Sequence, residues 1–279
     1  MGLCHQDTRS TGCTETEACF ATLDLGSKLK IVRRYPIYIF DLDGTLFRGD
    51  DPIPGAAGAL SRLRTDGSAI RYLTNNSGLT REDYLKKLTR LGFEATLEEI
   101  YSSAVGAAKT LSSRGLSRAF VVGNPGLPAT LREYGLQVVQ EGAEAVVVGL
   151  CHGLSYSLLD QALQNLLQGA ELFATNTDAT YPLEGGQVCP GAGSIVAAVA
   201  TCSGRTPIVI GKPNPYLIHL VLEEAGLTVA DALVVGDRYD TDILAGQGAG
   251  CDTLLVLTGV TQSAPEGQAV LNSVAYLGS

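Results

Sequence analysis

The chain has 279 residues, 45% of them hydrophobic and 18% charged, enough to bury a full core in one large domain or two modest ones. A net charge of −9 argues against a nucleic-acid polymer as the main partner, because phosphate backbones call for a basic surface. No apolar run reaches the roughly 18 residues of a membrane span and no secretory pattern opens the chain. Seven irregularly spaced Cys fit the reduced thiols of a cytoplasmic protein better than a disulfide framework.

Residues 1–34 are rich in Thr, Ser and Gly and show no period, which predicts a disordered or weakly docked extension. Cys4, His5, Cys13 and Cys19 match no paired metal-ligand spacing. Gly2 lacks the Ser or Thr that myristoylation wants, since Gln6 stands there. From Tyr35 strands and helices alternate. Strands are expected at 37–40, 69–73 and 100–102, with helices at 56–64 and 81–91. A second series follows: strands at 119–122, 145–148 and 172–175, helices at 127–134 and 156–167. A Gly/Pro-rich loop at 178–193 leads to a helix with Ser194 as its N-cap. Then come a strand at 207–210, a helix at 215–224 and strands at 233–235 and 253–257. Such alternation predicts a parallel sheet covered by helices on both faces. Ligands of such sheets bind outside the carboxyl ends of the strands, and Asp41, Thr74, Lys212 and Asp237 each fall at or just past an expected strand end.

The chain is organised around Tyr38-Ile39-Phe40-Asp41-Leu42-Asp43-Gly44-Thr45. An apolar strand runs into two carboxylates at i and i+2, which extended backbone turns to one side. At 4 Å two bare carboxylates repel by on the order of 4 kcal/mol at an effective dielectric near 20, so a shared proton or a bound cation is expected. Asp41 has the chemistry of a nucleophile that forms an aspartyl-phosphate. Asp43 has that of the acid that protonates the leaving oxygen and then the base that activates water. Thr74-Asn75-Asn76 offers a hydroxyl and amides to phosphate oxygens, or forms a simple turn. Lys212, between a strand and the turn Pro213-Asn214-Pro215, offers a point charge for phosphate and for Asp41. Gly236-Asp237-Arg238-Tyr239-Asp240-Thr241-Asp242 offers hard oxygen ligands of the kind Mg2+ takes. Asp237 is the direct ligand in this reading, Asp242 acts through water or orients Lys212, and Asp240 faces solvent.

These four motifs, in this order, resemble the haloacid dehalogenase superfamily of phosphohydrolases. The resemblance implies Asp41 as nucleophile, Asp43 as acid/base, Thr74 as the second-motif hydroxyl and Lys212 as the third-motif lysine. It also implies Mg2+ held by Asp41, the backbone carbonyl of Asp43 and Asp237, with Asp242 on the metal side. Only 30 residues separate Asp43 from Thr74, whereas 137 separate Thr74 from Lys212, which puts an inserted α/β cap in the second gap. Leu73-Thr74-Asn75-Asn76-Ser77, Ala174-Thr175-Asn176-Thr177-Asp178 and Cys189-Pro190-Gly191-Ala192-Gly193-Ser194 are similar to the NagD-like subclass (IIA). Its members include nucleotide, phosphoglycolate, pyridoxal phosphate and 4-nitrophenyl phosphate phosphatases.

That likeness implies a Rossmann-like parallel-sheet core at 35–103 and 203–279, with a cap at 104–202. It implies a Mg2+-dependent phosphatase acting on small phosphomonoesters, with Asn75, Asn76, Asn176 and Asp178 added to the phosphate and substrate contacts. A homodimer through the cap is the assembly it suggests. Thr177 and Cys151-His152-Gly153 depart from the subclass pattern and bear on substrate choice. His152 reads as a surface loop residue, His219 as packed or solvated, and Cys189 as a candidate lining residue. A phosphotransferase or mutase, and a non-catalytic phosphate-binding module, are the alternative readings.

Overall fold

Ile37–Phe40, four apolar residues in succession, form strand β1, buried along its whole length as expected for a central strand of a parallel sheet. The computed structural model describes residues 33–182 and 188–278. All but the last two residues of the expected extension, with Gly2, Cys4, His5, Cys13 and Cys19, lie outside the described residues. After β1 come a short hairpin (β2, Phe47–Arg48; β3, Asp51–Pro52), helix α1 (Ala56–Thr65), β4 (Ala69–Thr74), α2 (Arg81–Arg90), β5 (Ile100–Ser102) and α3 (Ser103–Ser113). The middle of the chain holds β6 (Arg118–Val122), α4 (Gly126–Glu133), β7 (Gln137–Val138), β8 (Ala145–Val148), α5 (Tyr156–Leu167) and β9 (Glu171–Ala174). A second hairpin (β10, Thr180–Pro182; β11, Val188–Pro190), α6 (Ala192–Ser203) and β12 (Ile208–Val209) follow. The chain ends with α7 (Tyr216–Ala225), β13 (Ala232–Gly236), α8 (Leu244–Ala249), β14 (Asp252–Val256) and β15 (Val270–Leu271).

Two parallel sheets result. The first has the order β15-β14-β13-β1-β4-β5, the second β12-β9-β8-β6-β7. Their alternation of strand and crossover helix is the Rossmann-like α/β architecture with an inserted α/β cap. The strand at 208–209 pairs with β9, so it belongs to the second sheet although the expected division at 202/203 assigns it to the first. Ser194 is not an N-cap. Helix α6 begins at Ala192 with Gly191 as its cap, and the Ser194 hydroxyl instead donates to Ala179 O at 3.2 Å.

Helix α3 was not expected. Ser102 caps it by accepting from Val105 N at 3.3 Å, but Ala104, Val105, Gly106, Ala107, Ala108 and Leu111 are buried nearly all round, so no amphipathic stripe announces it. Its small residues let it lie between the sheets. Ala104, Ala107 and Leu111 share one apolar cluster with Leu127 and Leu131 of α4 and with Leu217 and Val221 of α7. Among the described residues no helix is long and apolar enough to cross a membrane.

Candidate active site

Strand register builds the site. Phe40 lies opposite Val235 on one side and Tyr72 on the other. Asp41, Gly236 and Leu73 therefore stand level at the carboxyl edge, and Thr74 and Asp237 follow one residue on. Asp41 N donates to Val235 O at 2.9 Å, which carries the ladder to the sheet edge. Lys212 reaches this point from the second sheet. Its N–H donates to Asn75 Oδ1 at 2.8 Å, and Asn75 Nδ2 donates back to Lys212 O at 2.9 Å. The Lys212 ammonium is buried and donates to Asp41 Oδ1 at 2.6 Å, Asp242 Oδ1 at 2.6 Å and Leu73 O at 3.2 Å. Three donors thus meet three acceptors.

Asp237 completes the cluster. Its Oδ2 accepts from Val260 N at 2.7 Å, while its buried Oδ1 has no partner among the described residues. One carboxylate oxygen each from Asp41, Asp237 and Asp242 lie within 4.8 Å of one another. Hard oxygens at that spacing, one of them buried and unpaired, fit a small divalent cation. Asp242 has less to give, because its Oδ1 accepts from Lys212 and its Oδ2 from Arg238 N at 3.0 Å. Gly44 follows Asp43 for a steric reason: its φ is +92°, and a Cβ there would stand 2.5 Å from Asp237 Oδ2. Thr258 Oγ1 donates to Gly44 O at 2.7 Å and pins that turn.

The electrostatics follow from burying three acids beside one lysine. Burial, then the charge of Asp242, push the Asp41 carboxyl well up, and Lys212 only partly offsets them. Burial and Asp242 likewise push Asp237 up to about 7. Burial works against the charge of Lys212, but Asp242 and Asp41 more than compensate and hold it above its ordinary value. The Asp43 side chain is 47% exposed, yet neighbouring protein displaces part of the water around its carboxyl. That desolvation raises its carboxyl, with Lys87 and Lys212 pulling the other way.

The other expected site residues are gathered around Lys212. Asn75 Nδ2 also reaches Asp178 Oδ2 at 3.2 Å, Asn176 Nδ2 donates to Asn75 O at 2.8 Å, and Asn176 Oδ1 accepts from Asp178 N at 3.1 Å. These side chains buttress the lysine. Asn76 Oδ1 accepts from Gly78 N at 2.8 Å, and the Thr74 hydroxyl accepts from Asn76 N at 3.1 Å, so both shape the turn at the end of β4. Sequence reasoning missed Ser103, whose hydroxyl donates to Asn75 O at 2.5 Å, because it missed α3. It also passed over the 258–260 turn and Lys87. Thr45, inside the first motif, donates to Asp41 Oδ2 at 3.4 Å. Asp240 is solvent-facing as expected, paired with Arg238 at 2.8 Å. His152 is exposed and linked to Asn124 and Tyr181, and His219 is exposed on α7.

Comparison with known proteins converges on one family. A profile described as haloacid dehalogenase-like hydrolase matches residues 38–137, and a second profile of the same kind matches residues 209–277. The glycerol-3-phosphate phosphatase of Gallus gallus is 40% identical over 248 residues, covering 80% of each chain. The p-nitrophenyl phosphatase of Archaeoglobus fulgidus superposes with a TM-score of 0.82 at 33% identity, covering 88% of this chain and 98% of that one. A glycerol phosphate phosphatase of Mycobacterium tuberculosis, solved in complex with magnesium, superposes with a TM-score of 0.79 at 35% identity over 88% of this chain and 77% of that one. With the strand that ends at Asp41, the lysine and the acidic turn brought to one sheet edge, the chain belongs to the haloacid dehalogenase-like hydrolases, in their NagD-like group of phosphatases.

Proposed function

We propose that this phosphatase hydrolyses small phosphomonoesters with Mg2+ through an aspartyl-phosphate on Asp41. The observation that carries the reading is the Lys212 ammonium, 2.6 Å from both Asp41 and Asp242, beside the unpaired Asp237 Oδ1. Asp41 Oδ attacks phosphorus and the bond from phosphorus to the alcohol oxygen breaks. Asp43 donates a proton to that oxygen, and the alcohol leaves. Asp43, now ionised, takes a proton from water as the water oxygen attacks phosphorus. The bond from phosphorus to Asp41 breaks, inorganic phosphate leaves, and both acids return to their starting states. Lys212 offsets charge on Asp41 and on the phosphoryl oxygens throughout. Asp242 holds the lysine in place through Oδ1 and the Arg238 turn through Oδ2.

Asp41 and Asp237, with the backbone carbonyl of Asp43, are the groups that would hold Mg2+, which when bound supplies positive charge to ionised Asp41 and to the phosphate. The cap would close over the crevice, exclude bulk water and restrict access to small esters. The relatives whose names specify glycerol phosphate or nitrophenyl phosphate support a small-ester substrate here. Cys151, Cys189, Cys202 and Cys251 are free thiols, in keeping with a cytoplasmic setting.

The raised acids make cation binding a proton-linked event. Asp237 keeps its proton up to about pH 7 without a cation, and a metal ligand must be ionised. Mg2+ affinity is therefore expected to weaken as pH falls from 8 to 6, with Asp237 releasing about half a proton per ion near pH 7 and close to one near pH 6. Titration calorimetry in buffers of different ionisation heat reads this directly. In parallel, phosphate release from a panel of phosphomonoesters should vanish with EDTA and return with Mg2+. Release that EDTA leaves unchanged, or binding that frees no proton, would overturn the cation assignment.

A further inference from the structure

Helix α2 carries a lysine for which the proposed reaction has no use. Lys87 lies on α2 between Tyr84 and Leu88, both buried. Its ammonium stands 4.1 Å from the centre of the Phe47 ring and 4.0 Å from Asp43 Oδ1. The side chain is only 18% exposed. Four ångströms is beyond a hydrogen bond, and among the described residues the Lys87 ammonium makes none. Lys212, nearby, has three acceptors for its three donors. The Phe47 ring face and the Asp43 carboxylate thus hold the charge in place while its N–H donors stay free of protein acceptors among the described residues. Here the donors open into the space beside the acid that faces the leaving group.

We propose that Lys87 binds the alcohol half of the substrate, donating to a hydroxyl or carboxylate oxygen on the carbon next to the ester carbon. This rests on Asp43 acting as the acid of the proposed reaction. To protonate the ester oxygen, Asp43 must come within about 2.6–3.2 Å of it. With the ammonium 4.0 Å from Asp43 Oδ1, an oxygen on the first carbons of the alcohol would come within its reach. Phe47, fully buried beneath it, holds the ammonium over its ring face. The preferred substrates are thus short phosphomonoesters with a vicinal oxygen. Plain alkyl phosphates leave Lys87 unsatisfied and react more slowly.

The test uses a matched pair, ethyl phosphate and 2-hydroxyethyl phosphate, with 2-phosphoglycolate as the carboxylate arm. Wild type should favour the two oxygen-bearing esters in kcat/KM. Lys87→Met keeps the packing on Phe47 and should cut that preference by about 10- to 100-fold, the scale of a lost charged hydrogen bond to a substrate. Lys87→Arg should keep part of it. A larger loss on 2-phosphoglycolate than on 2-hydroxyethyl phosphate assigns the site to carboxylates, and the reverse assigns it to hydroxyls. Should Lys87→Met fail to fold, Lys87→Gln carries the same comparison. An equal loss on all three esters would mean that the ammonium serves Asp43 or the fold, and would overturn the proposal, as would no loss at all or no preference in wild type. Absence of phosphate release from every ester by wild type would instead sink the phosphatase reading beneath it.

Discussion

Replacing Asp41 with asparagine is expected to lower phosphate release by at least about 10⁴-fold, the scale on which removal of a nucleophile acts. The amide keeps the shape of the carboxylate, and its oxygen can still accept from the Lys212 ammonium, now 2.6 Å from Asp41 Oδ1. What it loses is a lone pair with enough charge to displace an alcohol from phosphorus. The fold should survive, because the substitution removes one of three acids crowded around a single lysine. Phosphate release read alongside thermal unfolding separates the two effects. An Asp41→Asn protein that stays within tenfold of wild type would remove this residue from the chemistry.

Replacing Asp237 with asparagine is expected to abolish Mg2+-dependent turnover and, without metal, to make the protein more stable. Asp237 is an acid raised from an ordinary 3.8 to about 7, so its ionised form opposes folding. That penalty is absent below about pH 4, grows as pH rises and is fully present above 7. At about 1.4 kcal/mol per pH unit, it reaches on the order of 4 kcal/mol at pH 8 as a ceiling. Asparagine escapes it. Its oxygen can keep the bond from Val260 N, and its amide brings a donor to the place where Asp237 Oδ1 has no partner among the described residues. Metal-free unfolding curves at pH 5 and pH 8 should differ between wild type and Asp237→Asn mainly at pH 8. Saturating Mg2+ should close the gap by stabilising wild type alone. A variant less stable than wild type at pH 8 would contradict this account of the buried acids.

The parts of the site legible in the sequence were those whose signal is local. An apolar run into two acids at i and i+2 marks the end of β1 without knowledge of the rest of the fold, and the acids after Gly236 mark the end of β13 in the same way. Lys212 was legible as a charge before a proline turn. Its origin in the second sheet was not, because the pairing of β12 with β9 is a contact across the chain. Helix α3 escaped because its first six residues, Ser103–Ala108, are small and all buried, which leaves no stripe. With it went Ser103, which holds the loop behind the lysine. Lys87 carries no local mark. It reads as one more lysine on an amphipathic helix, and only the fold brings it within 4.0 Å of Asp43. Asn75, marked by its amide after Thr74, and Asn176, marked only by the family resemblance, are joined by long-range bonds to Lys212 O and Asn75 O that no local pattern announces.

In the proposed reaction the phosphoryl group passes through Asp41. Asp43→Asn tests it most directly with 4-nitrophenyl phosphate, whose leaving group needs no proton, so the first step is spared while the water step loses its base. Rapid mixing followed by acid quench and peptide mapping should find a burst of about one nitrophenol per site. Hydroxylamine-labile phosphate should build up on the peptide that contains Asp41. No burst, or phosphate carried by any other side chain, would contradict the account.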